Sequence, residues 1–107
     1  MIDEKRRHAR QPAQFPLQIV PTGRPAFATQ SIDLSVGGMF VANPTSAETM
    51  VFGESIEIEL NLPRLGPTRL PAVVRWLRSD GFGLQFGLLG ALHTHALVAL
   101  VASLQSE

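Results

Sequence analysis

A chain of 107 residues, 45% hydrophobic and 17% charged, is long enough for one packed core and too apolar for general disorder. Its nine Lys and Arg are matched by nine Asp and Glu, which excludes the broad basic surface needed to neutralise many phosphates of a nucleic acid. Cysteine is absent, so disulfides, thiolate metal sites and a cysteine nucleophile are excluded too.

Residues 1 to 12 read as a polar arm. Lys5, Arg6, Arg7 and Arg10 stand there against Asp3 and Glu4, while residues 11 to 107 hold five positive and seven negative side chains. Pro12 and Pro16 disfavour helix at and just before their own positions, so the arm is expected to be extended and flexible. It has no apolar signal core. The longest apolar stretch, ALVALVASL at 96 to 104, is far shorter than the roughly 20 residues of a bilayer span. A cytoplasmic protein is the expectation.

From Phe15 the pattern alternates, with Phe15, Leu17 and Ile19 on one face and Pro16 and Gln18 on the other, the period of a half-buried strand. Pro21 to Pro25, with Gly23, ends it in a turn. A second strand is predicted from Ala26 to Leu34. Its two faces are Ala28, Gln30, Ile32 and Leu34 against Phe27, Thr29, Ser31 and Asp33. A third strand, Met39 to Ala42, follows the loop DLSVGG, whose adjacent Gly37 and Gly38 permit backbone conformations closed to other residues. In SIEIELNL, Ile56, Ile58, Leu60 and Leu62 alternate with Glu57, Glu59 and Asn61, one face for the core and one for water. After a turn rich in Pro63, Gly66 and Pro67, TRLPAVVRWLR is predicted as a strand with Leu70, Ala72, Val74 and Trp76 facing one way. SDGFG reads as a hairpin turn, which Asp80-Gly81 suits because glycine takes a positive φ without penalty, and FGLQFGLL returns from it. Six short strands at this spacing predict a small antiparallel barrel or sandwich.

The last segment, GALHTHALVALVASLQS, has no internal proline and is predicted as one helix over about 90–104. Leu92, Ala96, Ala99 and Leu100 share one side, Leu97, Val101 and Leu104 another, and Val98 and Ala102 lie toward the back. A helix apolar almost all round is usually covered all round. A barrel covers one side, so a second partner is expected, most economically another copy of the chain. His93 and His95, two residues apart on a helix, point about 200° away from each other and do not converge on a metal ion.

Two stretches carry chemistry. Arg6 and Arg10, four residues apart on an extended arm, can grip phosphate oxygens or the O6/N7 edge of a guanine through paired hydrogen bonds. In DLSVGG, Asp33 offers a carboxylate able to accept from the N1 and N2 donors of a guanine, Ser35 offers a hydroxyl, and Gly38 allows close backbone approach. Neither signal is specific alone; a solvated basic tail and a chance loop match each one.

Together, the RxxxR pair (Arg6, Arg10), DxSxxG (Asp33, Ser35, Gly38), GGMFV, VVRW and GFGLQF closely resemble the PilZ domain family over nearly the whole chain. The resemblance implies a six-stranded antiparallel β-barrel with a C-terminal α-helix. It also implies cyclic di-GMP as ligand, with no cofactor. Under it Arg6 and Arg10 would contact guanine edges and phosphates, Asp33 and Ser35 a guanine, and Gly38 would give the backbone room. Arg7 has Gln11 rather than arginine four residues on and would assist electrostatically. Gly37, Arg75 and Trp76 are weaker candidates, a strand-borne Trp being either core or barrel rim. A receptor of this kind would order its arm on binding and signal to a separate protein, since no output domain is expected within this length. The rival is a PilZ-fold adaptor that binds no nucleotide. Catalysis is not expected, because no GxSxG elbow is present. A single-stranded nucleic-acid barrel would need exposed aromatics along a basic groove.

Overall fold

A computed structural model of the protein describes residues 11–43 and 50–105. Arg6, Arg7 and Arg10, and with them most of the expected arm, lie outside the described residues. The elements are β1 (Gln11–Pro12), β2 (Pro16–Pro21), β3 (Phe27–Leu34), β4 (Gly38–Ala42), β5 (Ser55–Leu62), β6 (Gly66–Arg78), β7 (Gly81–Phe86) and α1 (Ala91–Gln105). Every strand pairing is antiparallel. The order β3-β2-β5-β6-β7-β4 is closed by pairing of β4 with β3. The sheet is therefore a barrel rather than a sandwich, and closure removes its free edges.

The alternation seen in the sequence decides which side chains enter. Ile56, Ile58, Leu60 and Leu62 of β5 are buried, as are Leu17 and Ile19 of β2 and Leu70, Ala72 and Val74 of β6. They meet Leu34, Met39, Val41, Phe82 and Leu84 in one core. Helix α1 closes against β1 and β5, burying Ala96, Leu97 and Val101. Among the described residues no helix is long and apolar enough to cross a membrane.

Gln11 and Pro12, read from sequence as part of the arm, are a strand. They pair with Leu34 and Asp33 along the same edge of β3 that β2 occupies farther on. The step between β1 and β2 is fixed by Ser31, which is buried at 1% exposure. Its hydroxyl donates to the carbonyl of Ala13 and accepts from the N–H of Phe15, so both backbone groups of that step are satisfied inside the protein.

Two strands depart from strict alternation. In β3, Ser31 faces Val41 but Asp33 faces Phe40, leaving Ile32 as an extra residue. In β6, Val74 faces Leu84 but Trp76 faces Gly83, leaving Arg75 as the extra one. A bulge of this kind shifts the two-residue phase of everything beyond it. Ser31 and Leu34 therefore both point inward, and Ile32, paired with Leu34 in the sequence reading, is 40% exposed. Trp76, read as facing the same way as Val74, stands outside at 51% exposure.

The hairpin between β6 and β7 turns on Ser79 and Asp80, with Arg78 opposite Gly81. Gly81 has no positive φ, contrary to the sequence expectation. It is glycine because a Cβ there would run into the Val41 carbonyl and lie 2.9 Å from the Phe40 ring.

Replacing Ser31 with alanine removes the partner of two buried backbone groups. The expected cost is about 1–3 kcal/mol of stability, measured by urea unfolding.

Candidate ligand-binding surface

The two bulges act on the same side of the barrel. Asp33 is opposite Phe40, Phe40 is opposite Gly83, and Gly83 is opposite Trp76. These four residues form one row across β3, β4, β7 and β6 on the outer surface, and three strand spacings make it ~14 Å long. Phe40 and Trp76 flank the bare backbone of Gly83. A Cβ at Gly83 would come within 2.5 Å of the Trp76 ring, so the indole lies across this glycine. The guanidinium of Arg78 sits 4.8 Å from the centre of the Phe40 ring, a cation–π contact, and its Nε is 3.4 Å from Asp80. Arg75, on the bulge, donates from Nε to Gln85 Oε1 at 2.9 Å. The surface is a small-residue floor between two rings, with the Asp33 carboxylate at one end, the Arg78 guanidinium over Phe40, and Arg75 beside Trp76 at the other end.

The loop from Asp33 to Gly38 is tightly built. Asp33 Oδ1 accepts the Phe40 N–H at 3.1 Å. Ser35 is buried at 3% exposure; its N–H donates to the Gly38 carbonyl at 2.9 Å, and its hydroxyl donates to the same oxygen and accepts from Gly37 N–H, both at 3.3 Å. The Gly37 carbonyl accepts from Phe86 N–H at 2.9 Å, tying the loop to the end of β7. A depression of about 340 Å³ lined by Val36, Gly37, Phe86, Leu89 and Leu97 lies beneath that tie.

Neither Gly37 nor Gly38 has a positive φ, so the adjacent glycines do not serve a special backbone conformation. At Gly38 a Cβ would overlap the Leu84 carbonyl and approach Gln85 Cα at 3.2 Å. Close packing of β4 on β7 accounts for this glycine.

Of the residues singled out in the sequence, the fold gathers Asp33, Ser35, Gly37 and Gly38 in one loop and puts Trp76 at the far end of the row that Asp33 begins. Arg75 is beside Trp76. Phe40, Arg78, Gly83 and Gln85 belong to the same surface and were not singled out. Gly83 inside a predicted strand was the available signal, because a strand glycine commonly marks close approach of a neighbour. Among the described residues no cluster of three His, Cys, Asp or Glu side chains suits a metal ion.

A closed six-stranded antiparallel barrel with one C-terminal helix, and an aromatic and glycine surface outside its wall, defines a small β-barrel domain. The chain belongs to the PilZ domain family, whose model matches residues 4–103. No curated protein matches the sequence. Among solved structures, the Bacillus subtilis inhibitor of motility MotI/DgrA is similar at 24% identity and TM-score 0.78, covering 97% of this chain and 53% of its own. The PilZ domain of YcgR from Escherichia coli with c-di-GMP is similar at 18% identity and TM-score 0.79, covering 96% of this chain and 93% of its own. The PilZ domain of CeSA from a cellulose-synthesizing bacterium gives 20% identity and TM-score 0.72, covering 90% and 97%. The chain thus spans about half the length of MotI/DgrA, and these likenesses establish the fold.

Replacing Gly38 with alanine forces β4 away from β7, with an expected cost of about 1–3 kcal/mol. A lower urea midpoint measured without any ligand would register this packing role.

Proposed function

We propose that the protein is a cyclic di-GMP receptor that binds the nucleotide on the outer row from Asp33 to Trp76 and passes the signal to a separate protein. The observation that carries this reading is the pairing of Gln11 with Leu34. Gln11 follows Arg10 directly in the chain, and Pro12 lies opposite Asp33. Arginine donors and a carboxylate acceptor on the two sides of one ligand suit a guanine, which presents acceptors on one edge and donors on another. Family membership and the c-di-GMP named for the YcgR domain of the same fold support the choice of ligand.

In this reading Arg6 and Arg10 hold guanine edges and phosphates, with Arg7 adding charge. The Asp33 carboxylate meets a guanine, and Gly37 and Gly38 keep the loop clear of side chains. Ser35 acts through the loop it shapes as much as through direct contact. Trp76 and Arg75 border the far end of the row. Ligand binding fixes the arm against the barrel, and a partner reads the fixed surface.

A second reading, an adaptor that binds no nucleotide, draws on the loop itself. The Ser35 hydroxyl is spent on Gly37 and Gly38, and Gly38 is explained by strand packing. Both motif positions would persist for folding alone.

Isothermal titration with cyclic di-GMP, with GTP as control, separates the two. The receptor reading expects saturable binding of cyclic di-GMP and at least a tenfold loss in Arg6→Ala and in Asp33→Ala, on the order of one or two charge-assisted hydrogen bonds each. No heat and no thermal stabilisation at high ligand concentration would leave the adaptor. Hydrogen exchange on the same samples tests the arm: its amides should gain protection only with ligand, and unchanged protection would refute ordering as the signal.

A further inference from the structure

Arg78 belongs to the outer surface of the barrel without lying in the row from Asp33 to Trp76. It stands two residues beyond Trp76 on β6, opposite Gly81 of β7. Phe40 comes from β4, on the other side of β7. The two side chains meet above Gly81, where a Cβ would lie 2.9 Å from the Phe40 ring, and the guanidinium carbon of Arg78 sits 4.8 Å from the centre of that ring. The bare backbone of Gly81 thus makes room for the ring, and the ring carries the guanidinium.

What holds Arg78 leaves most of its donors unspent. Of the five N–H groups of a guanidinium, the one on Nε faces Asp80 at 3.4 Å, in a pair whose side chains are 64% and 60% exposed. Such an exposed pair is worth little. Among the described residues the two Nη atoms donate no hydrogen bond. The cation–π contact keeps the group in place over Phe40, so less freedom is lost when a ligand engages it.

Phe40 also ties this donor to the Asp33 carboxylate. Its N–H donates to Asp33 Oδ1 at 3.1 Å while its ring supports Arg78. A carboxylate and a guanidinium therefore stand one aromatic side chain apart on the same sheet, close enough for one base to meet both. Guanine presents the acceptors O6 and N7 on one edge, where adenine has an N6 donor in place of O6. A two-pronged donor beside a carboxylate separates these bases; a point charge does not.

We propose that Arg78 is a specificity-determining residue of this surface: its two Nη groups donate to O6 and N7 of the guanine whose N1 and N2 donate to Asp33. The assignment rests on the nucleotide reading of the same surface and adds the group that tells guanine from adenine. The arginines of the arm are then left to the phosphates and the second guanine.

Titration calorimetry of the unmodified chain, Arg78→Ala and Arg78→Lys tests this with three ligands: cyclic di-GMP, its 7-deazaguanine analogue, which lacks the N7 acceptor, and cyclic di-AMP. The unmodified chain should bind cyclic di-GMP at least about tenfold more tightly than either of the others. Both variants should lose at least about tenfold toward cyclic di-GMP and bind the 7-deaza analogue as well as the natural ligand. Their urea midpoints should match that of the unmodified chain, because the side chain is exposed. Loss of the N7 preference is a readout that neither a structural role nor general charge attraction would produce. Tight binding by Arg78→Ala with the N7 preference intact, or full affinity in Arg78→Lys, overturns the assignment and leaves the receptor reading standing. No binding of any of the three ligands by the unmodified chain overturns both.

Discussion

Pairing of β3 with β4 closes the barrel, and the bulge within that pairing decides which side chains enter the wall and which face outward. Had β3 kept strict alternation, Ser31 and Asp33 would share a face, and turning Ser31 into the wall would turn the Asp33 carboxylate inward with it. The extra residue at Ile32 resolves this conflict. Ser31 enters the wall and finds two backbone partners, Leu34 enters the core, and Asp33 is turned outside beside Phe40. One added residue thus satisfies a buried hydroxyl, fills the core and exposes a carboxylate, at the cost of a single unpaired ladder position.

The opposite wall repeats the device. The bulge at Arg75 turns Trp76 out over Gly83, while Val74 and Leu84 stay inside. Since the two bulges lie on either side of β4 and β7, Asp33 and Trp76 end up facing the same exterior strip. The glycines of that strip are required by their neighbours: Gly38 by the Leu84 carbonyl, Gly81 by Val41 and Phe40, Gly83 by the indole. The surface is therefore preorganised by the sheet itself. It needs no flexible loop to assemble it.

Helix α1 connects this barrel to its surroundings. Its inner residues lie against β1 and β5, so the short strand that begins the described chain is held between the loop bearing Asp33 and the helix. The helix has to be apolar inside to close the barrel. Nothing in the barrel requires it to be apolar outside, yet Leu92 and Val98 are exposed there.

The sequence by itself determined the number and place of the main strands, the terminal helix, the loop from Asp33 to Gly38 and the family. Those features rest on local signals: the two-residue period of β2 and β5, the proline and glycine turns, and a motif read in order along the chain. It misassigned Ile32 and Trp76, because a bulge is a mismatch between two strands and leaves no mark on the period of either one alone. It also assigned positive φ to Gly81 and special backbone freedom to Gly37 and Gly38, where the tertiary structure requires bare backbone at Gly81 and Gly38 for passing neighbours. Which residues share a row depends on register, and register is decided only when the strands meet. Asp33 and Phe40 are far in the chain from Arg75, Trp76 and Arg78, and the pairing of β4 with β7 and of β7 with β6 brings the two sets to one face.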